Sequence, residues 1–407
     1  MDYKKQAIYN TAGNLIYMAC LWVMSVLVAR ISGFSDAGTF SIAMTIGNIF
    51  YFIAMYGIRS FQASDVKEEY GDVIYFKTRV VTVLISILGC CIYLIICDYD
   101  AYTSLAVLIY TIFRGIEALS DVIFGELQRV GHLEVSGISM SIKGVISVVV
   151  FSIILMYTQN LDFALLGIVI IALLFLIFYD YKGYVKYRSP SRKKDQGNVM
   201  ELLIKGFPML LTTVFPIVVT AIPRLALEQY YGTEMLGIYS SIATPTVLLT
   251  TIIPNMLCPF MTYYGICYQK GQYKKLLLMM WISIFCSALL GALACILAYF
   301  LGDIVMGTIF GDAILPYLYV FIPLIIATTV YAFSMCGNSV LITIRYPMWL
   351  TLFAFLALVV SIIITPMLVQ QYFMHGTVLA FAIPFAVQFI LQVIFVSYKL
   401  LKKNENR

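Results

Sequence analysis

The chain is 407 residues long, 62% hydrophobic and only 12% charged, with a formal net charge of +5 and a mean hydropathy of +0.93. Soluble proteins carry about a quarter of their residues as charges, so a soluble domain is excluded and a membrane protein is indicated. The positive balance follows from how the connections face a bilayer and gives no reason to expect nucleic-acid binding.

A bilayer core about 30 Å thick needs about 20 apolar residues per helix. On that basis twelve spans are predicted, at 7–29, 37–58, 77–97, 101–128, 137–157, 161–181, 199–228, 235–264, 275–299, 312–338, 347–369 and 376–398. The first follows a short basic start, Lys4 and Lys5, and is too long for the core of a signal peptide, so it is taken as a spanning helix. It carries Asn10 and Asn14; the second carries Thr45 and Asn48. Between them stands the phrase Gly33-Phe34-Ser35-Asp36-Ala37-Gly38-Thr39-Phe40-Ser41. The connection into the third span holds Asp65, Lys67, Glu68, Glu69, Asp72 and Lys77 and reads as an ordinary solvated loop.

The fourth span is the most polar, with Arg114, Glu117, Asp121 and Gln128 at spacings that share one helical face. An ionisable residue inside a span costs several kcal/mol, about 2.5–3.5 on insertion scales, so this face must meet a partner or a water-filled cavity. An Arg114–Glu117 pair sealing a helix contact is one reading; a hydrophilic stripe on a central cavity is the other. One arginine cannot neutralise both acids, so the surplus carboxylate calls for a second cation or a proton. The long connection 183–198, with Lys186, Arg188, Arg192, Lys193 and Lys194, then separates a first half at 1–182 from a second at 199–407.

The seventh span carries Thr213, Thr220, Arg224 and Glu228, together with Pro208, Pro216 and Pro223. Arg224 and Glu228 are spaced to pair, and Arg224, like Arg30 at the end of the first span, could equally anchor at the interface. The phrase then recurs as Gly232-Thr233-Glu234-Met235-Leu236-Gly237-Ile238-Tyr239-Ser240. The eighth span follows with Ser241, Thr244, Thr251 and Asn255 and with Pro245, Pro254 and Pro259; Pro316 and Pro323 mark the tenth. These prolines favour bends, either static or moving with a cavity.

Six spans separate the two copies of the phrase, so both face the same side and the halves are parallel repeats. The expected architecture is an all-α polytopic membrane protein of two six-helix bundles. Arg30, Arg114, Lys143 and Arg224 lie in or at the ends of spans; every other Lys and Arg falls at the termini or in the even-numbered connections. That bias places both termini in the cytoplasm. Nine cysteines lie in or beside apolar segments without a Cys-x-x-Cys pair, and the two histidines, His132 and His375, are far apart, so no metal site is expected. No nucleotide loop or catalytic triad is present and the outer connections are short, which argues against an enzyme and predicts no cofactor.

Several of these motifs resemble the polysaccharide repeat-unit flippases of the Wzx type. Their superfamily, MATE/MOP, includes the multidrug and toxin extrusion exporters and the lipid II flippases. Lys4-Lys5 with Asn10 resembles the family's opening. Val28-Ala29-Arg30-Ile31-Ser32-Gly33 followed by Ala37-Gly38-Thr39-Phe40-Ser41 resembles its first signature, with Ser32 where Leu is usual. Gly206-Phe207-Pro208, Pro223-Arg224, Gly237-Ile238-Tyr239-Ser240 and Pro259 resemble the second-half motifs. The resemblance implies a MATE-like fold in the cell membrane and alternating access. The implied substrate is a polyprenyl-pyrophosphate-linked oligosaccharide, the surroundings are membrane lipids, and the expected partners are a glycan polymerase and glycosyltransferases. It makes Arg114, Arg224 and Arg30 phosphate partners, Glu117 and Asp121 ion- or proton-coupling residues, and Asn10, Asn14, Asn48 and Thr220 polar cavity residues. A cation-coupled drug antiporter of the same fold is the rival reading.

Overall fold

The computed structural model describes residues 3–64, 70–188 and 197–405, and these are helical almost throughout. The acidic stretch 65–69 and the basic residues Arg192, Lys193 and Lys194 lie outside the described residues. Contacts divide the chain into two compact units, Met1–Val214 and Phe215–Arg407. The division falls inside a helix rather than at the basic connection, because residues 199–214 pack with the first unit.

The first unit holds α1 (Tyr3–Ile31), α2 (Gly33–Met55), the short α3 (Ile58–Ser64), α4 (Asp72–Cys97), α5 (Ala101–Arg129), α6 (Leu133–Thr158), α7 (Leu161–Phe175) and α8 (Tyr181–Tyr187). A π-helical turn, Leu176–Asp180, joins α7 to α8. The following α9 (Val199–Ala243) begins in this unit, where Leu202 is packed with Ile58, Tyr70, Ile74, Tyr75 and Val122. Side chains define the helix starts: Asp100 accepts from the backbone N–H of Thr103 at α5, and Asn160 accepts from those of Asp162 and Phe163 at α7.

The second unit contains the rest of α9, a 3₁₀ turn at Thr244–Thr246, α10 (Val247–Gln269), α11 (Tyr273–Phe310), a 3₁₀ segment at Asp312–Val320, α12 (Phe321–Thr343) and α13 (Pro347–Glu405). Pro245 sits in the first of these turns and Pro316 in the second, while Pro254 and Pro259 lie within α10. Nine helical stretches among the described residues are long and apolar enough to cross a membrane. Two of them are broken once each, at Gly232 and at Phe373. With those breaks and with α5, whose polar face sets it apart from the others, the runs match the twelve predicted spans.

The repeated phrase has a backbone explanation. Gly33 and Gly232 occupy the same left-handed region, φ +88° and +86°, and each ends one helix and opens the next. A Cβ would meet nothing within 4 Å at either site, so the dihedral rather than space demands glycine. Both following segments then bury the same four positions, Ala37 to Phe40 in one unit and Leu236 to Tyr239 in the other.

α1 and α6 touch through their backbones. A Cβ on Gly13 would overlap the carbonyl of Gly137, and one on Gly137 would overlap the carbonyl of Tyr9 and the Cα of Asn10. Further along the same contact, Gly144 faces Tyr17 and Cys20. Such small-residue seams bring helices close where lipid offers no hydrophobic drive for association. Gly13→Leu is expected to lower stability by about 1–3 kcal/mol through overpacking, read as a lower unfolding temperature in detergent. A wild-type temperature would show that the two backbones are not in contact.

Candidate functional site

The polar face predicted on the fourth span is formed by α5 and is the centre of a buried charge network in the first unit. Asp121, 5% exposed, binds two arginines. Its Oδ1 is 2.5 Å from Arg59 Nη1 of α3, and its Oδ2 is 3.1 Å from Arg79 Nη2 of α4. Arg79 is completely buried and also donates to the Ala54 carbonyl at 2.9 Å, which Thr82 reaches at 2.7 Å. Ala54 is in the last turn of α2, where carbonyls lack helical partners and carry partial negative charge. One arginine therefore joins a helix end to a carboxylate. Arg59 extends the network to Gln128 Oε1, and Gln62 donates to the Val122 carbonyl of α5.

The loop composition assigns Asp72 and Lys77, and the charge census Arg79, to the connection before the third span; the structure places all three within α4. The helix begins at Asp72, ahead of the span predicted at 77–97, so Arg79 lies about two turns inside it. Its apolar neighbours gave no sign that it turns inward to an acid on another helix.

Glu117 does not pair with Arg114. Its Oε1 is 2.5 Å from Lys143 Nζ of α6, a fully buried lysine, with the two atoms not aligned as a hydrogen bond. Lys143 also lies 5.8 Å from the Tyr17 ring centroid and 5.9 Å from that of Phe124. The surplus carboxylate expected from sequence has thus acquired cations, Arg79 and Arg59 at Asp121 and Lys143 at Glu117. Lys143 had been noted as a charge inside a span without a role.

Arg114 is left differently placed. Its guanidinium stacks 3.7 Å over the Tyr51 ring, with Tyr110, Tyr17 and Glu117 in electrostatic range. It has no ion pair with a described carboxylate, and its buried Nε has no hydrogen-bond partner. Stacking on an aromatic face supports a guanidinium while leaving its in-plane donors open. In the second unit Arg224 is half-buried on α9 beside Tyr239 and has no ion pair with Glu228 or any other described residue. Two half-buried guanidinium groups, one per unit, therefore stand without a described carboxylate.

The other expected site residues are dispersed. Arg30 is exposed at the end of α1, Asn14 is exposed, and Asn10 is half-buried where α1 crosses Gly137. Asn48 is half-buried on α2, and Thr220 donates to the Ile217 carbonyl of its own helix. The second unit has a polar cluster that was not foreseen. Asn338 Oδ1 accepts from Gln392 at 2.6 Å and from Gln388 at 3.3 Å, both nearly fully buried. Glutamines this deep in apolar runs carry no spacing signal of their own.

Residues 3–262 match the sequence profile of a family described as polysaccharide biosynthesis protein. A capsular polysaccharide biosynthesis protein, CapF of Staphylococcus aureus, is 26% identical over 309 residues, covering 74% of this chain and 76% of that protein. Among solved structures, a multidrug resistance MATE family transporter of the MOP superfamily in an inward-facing conformation superposes with a TM-score of 0.73 at 13% identity, covering 98% of this chain and 96% of its own. A MOP superfamily transporter from Pyrococcus furiosus, described as having a binding pocket of reverse polarity, gives 0.66 at 14% identity, covering 99% and 97%. At these identities the structures establish the fold: an all-α, multi-pass MATE fold.

The Asp121 network yields a direct stability test. Asp121→Leu leaves the fully buried Arg79 without its counter-ion and is expected to cost about 3–5 kcal/mol. Adding Arg79→Met should recover most of that loss, because an apolar pair of similar volume needs no solvation. Equal stability of the single and double variants, measured by thermal unfolding in detergent, would refute the pairing.

Proposed function

The chain belongs to the polysaccharide biosynthesis protein family, and from that premise we propose that it is a flippase for lipid-linked oligosaccharides. It moves polyprenyl-pyrophosphate-linked repeat units across the cytoplasmic membrane by alternating access, for surface polysaccharide synthesis. The substrate sets a defined physical problem. Its prenyl tail is soluble in lipid, whereas a pyrophosphate with several hydroxyl-rich sugars cannot enter hydrocarbon unaided. A transporter must therefore supply cations within the bilayer and leave them available.

The observation that carries this reading is the state of Arg114. Five other cations and acids in the first unit are matched: Arg59 and Arg79 at Asp121, and Lys143 at Glu117. Arg114 has instead a tyrosine ring beneath it and open donors. An uncompensated guanidinium at this depth is costly, and phosphate oxygens are the partners its planar fork fits best. Arg224 offers the same chemistry in the second unit, and Arg30 is assigned as an entry contact for the anionic headgroup. Half-buried Asn10, Asn48 and Thr220, with the exposed Asn14, are assigned to sugar hydroxyls. The charge bias of the connections supports cytoplasmic termini. Glycosyltransferases and a glycan polymerase are the partners this role requires, acting before and after the flip. Family membership favours this substrate over the drugs carried by antiporters with the same fold.

We assign Asp121 the role of a structural counter-ion rather than a coupling group, because two arginines contact it from α3 and α4. Glu117 is read in the same way through Lys143.

Arg114→Ala and Arg224→Ala are each expected to abolish surface glycan while leaving protein abundance unchanged. Arg114→Lys should restore little, because a point charge lacks the bidentate fork. The measurement is surface polysaccharide in cells whose own copy of the gene is deleted, with membrane protein quantified in parallel. Normal glycan in both alanine variants would remove the phosphate assignment.

A further inference from the structure

Besides Asp121 and Glu117, the first unit buries Glu126, which pairs with Arg129, and Asp162 and Asp180, neither of which has an ion pair with a described residue. Asp180 is the last residue of the π-helical turn between α7 and α8 and is fully buried. Its Oδ2 accepts from the Ser120 hydroxyl of α5 at 2.8 Å, and its Oδ1 accepts from that of Ser139 of α6 at 2.5 Å. The titratable and charged groups facing it are Lys143 of α6, Glu117 of α5 and Tyr179 of its own turn. Lys143 is one turn beyond Ser139 and lies outside ion-pair distance of Asp180, engaged with Glu117. Two carboxylates therefore share one lysine.

The partners of Asp121, Glu117 and Asp180 differ in kind. Arginine has donors and no acceptor, so Asp121 is satisfied only as a carboxylate; the ammonium of Lys143 serves Glu117 in the same way. A serine hydroxyl both donates and accepts. When Asp180 is ionised, both serines can donate to it across the contacts present. When it takes up a proton, its own O–H can donate to one serine oxygen. That serine then turns its hydroxyl to the carbonyl one turn back on its helix, Ile116 for Ser120 or Val135 for Ser139. Both forms are fully hydrogen-bonded, which lowers the cost of exchanging between them in a dry site.

A second observation marks the site as more than packing. Tyr17 Oη of α1 and Ser136 Oγ and Ser147 Oγ of α6 are buried without an aligned hydrogen-bond partner, and Lys143 Nζ and Glu117 Oε1 meet as an ion pair that is not aligned as a hydrogen bond. Each of these five side chains is at least nine-tenths buried. Unsatisfied polar atoms at this density are rare in folded interiors. π turns of this type interrupt helices mainly at functional positions.

We propose that Asp180 is the site at which the first unit takes up and releases a proton. Its charge state decides how Lys143 is shared between Glu117 and Asp180. A proton from water on the cytoplasmic side, by the topology proposed above, neutralises Asp180 and leaves Lys143 to Glu117. Its release restores a second negative charge and draws the lysine toward α7. The link between α5, α6 and α7 thereby depends on one proton. Coupling of that proton to transport rests on the flippase reading.

The test separates the two. Infrared titration of purified protein in lipid bilayers reads protonated carboxyl groups without any substrate. Wild-type protein is expected to show a titrating carboxylic-acid band that Asp180→Asn removes and Asp121→Asn leaves intact. A band that survives Asp180→Asn, or its absence from wild type, overturns the proposal. Should Asp180→Asn fail to fold, Ser120→Ala with Ser139→Ala must shift the pH midpoint of the band; an unmoved midpoint is equally fatal. In proteoliposomes carrying a fluorescent polyprenyl-pyrophosphate disaccharide, Asp180→Asn should lose the response of flipping to an imposed pH gradient. A response equal to wild type refutes the coupling, whereas wild-type protein that moves no lipid refutes the flippase reading and leaves the proton site standing.

Discussion

Hydrocarbon cannot solvate charge, and the first unit is organised around that constraint. Asp121, Glu117 and Asp180 all lie where water would otherwise be needed, and each is met from a different helix. Arg79 contributes most, because one side chain neutralises Asp121 and also covers the carbonyl at the end of α2. α2, α3, α4 and α5 consequently meet at a single carboxylate. The packing of apolar side chains around them, such as Ala54, Val83 and Ala118, fills space that this network has already positioned.

The differences among the three acids assign them different work. Asp121 is clamped between guanidinium groups and behaves as a fixed joint. Glu117 has one mobile partner on a flexible stem. Asp180 has hydroxyls only. Arg114 completes the series from the opposite sign: a cation resting on an aromatic ring without an ion pair to a described carboxylate. Within a family of polysaccharide biosynthesis proteins, a cation left open inside a MATE fold suits a pyrophosphate headgroup, while the matched pairs around it hold the helices that carry it.

Much of this architecture was legible in the sequence. The doubled phrase pointed to two equivalent hairpins, and Gly33 and Gly232 have nearly the same positive φ because both copies solve the same turn. The stripe Arg114, Glu117 and Asp121 announced itself by spacing, since charge at helical period inside an apolar run has few causes. What the sequence could not show was pairing. Arg114 and Glu117 are close in sequence and remain apart, whereas Glu117 finds Lys143 and Asp121 finds Arg79 on other helices. Such choices depend on how helices are rotated against one another, which one chain's spacing does not encode. Asp180 was hidden for a further reason: it lies at the edge of an apolar run beside Tyr181 and Lys182, where an acid ordinarily belongs to the interface.

The π turn at Leu176–Asp180 has a consequence for how this site could have arisen. A π turn accommodates one residue more than a regular helix does over the same rise. Without it, Asp180 would be displaced by about 100° around the helix axis and would face away from Ser120 and Ser139. The carboxylate thus owes its position to the one extra residue that the π turn accommodates. Relatives lacking that extra residue could carry an aspartate at the aligned position and still have no acid between α5 and α6, so sequence alignment alone would not reveal which members possess the site.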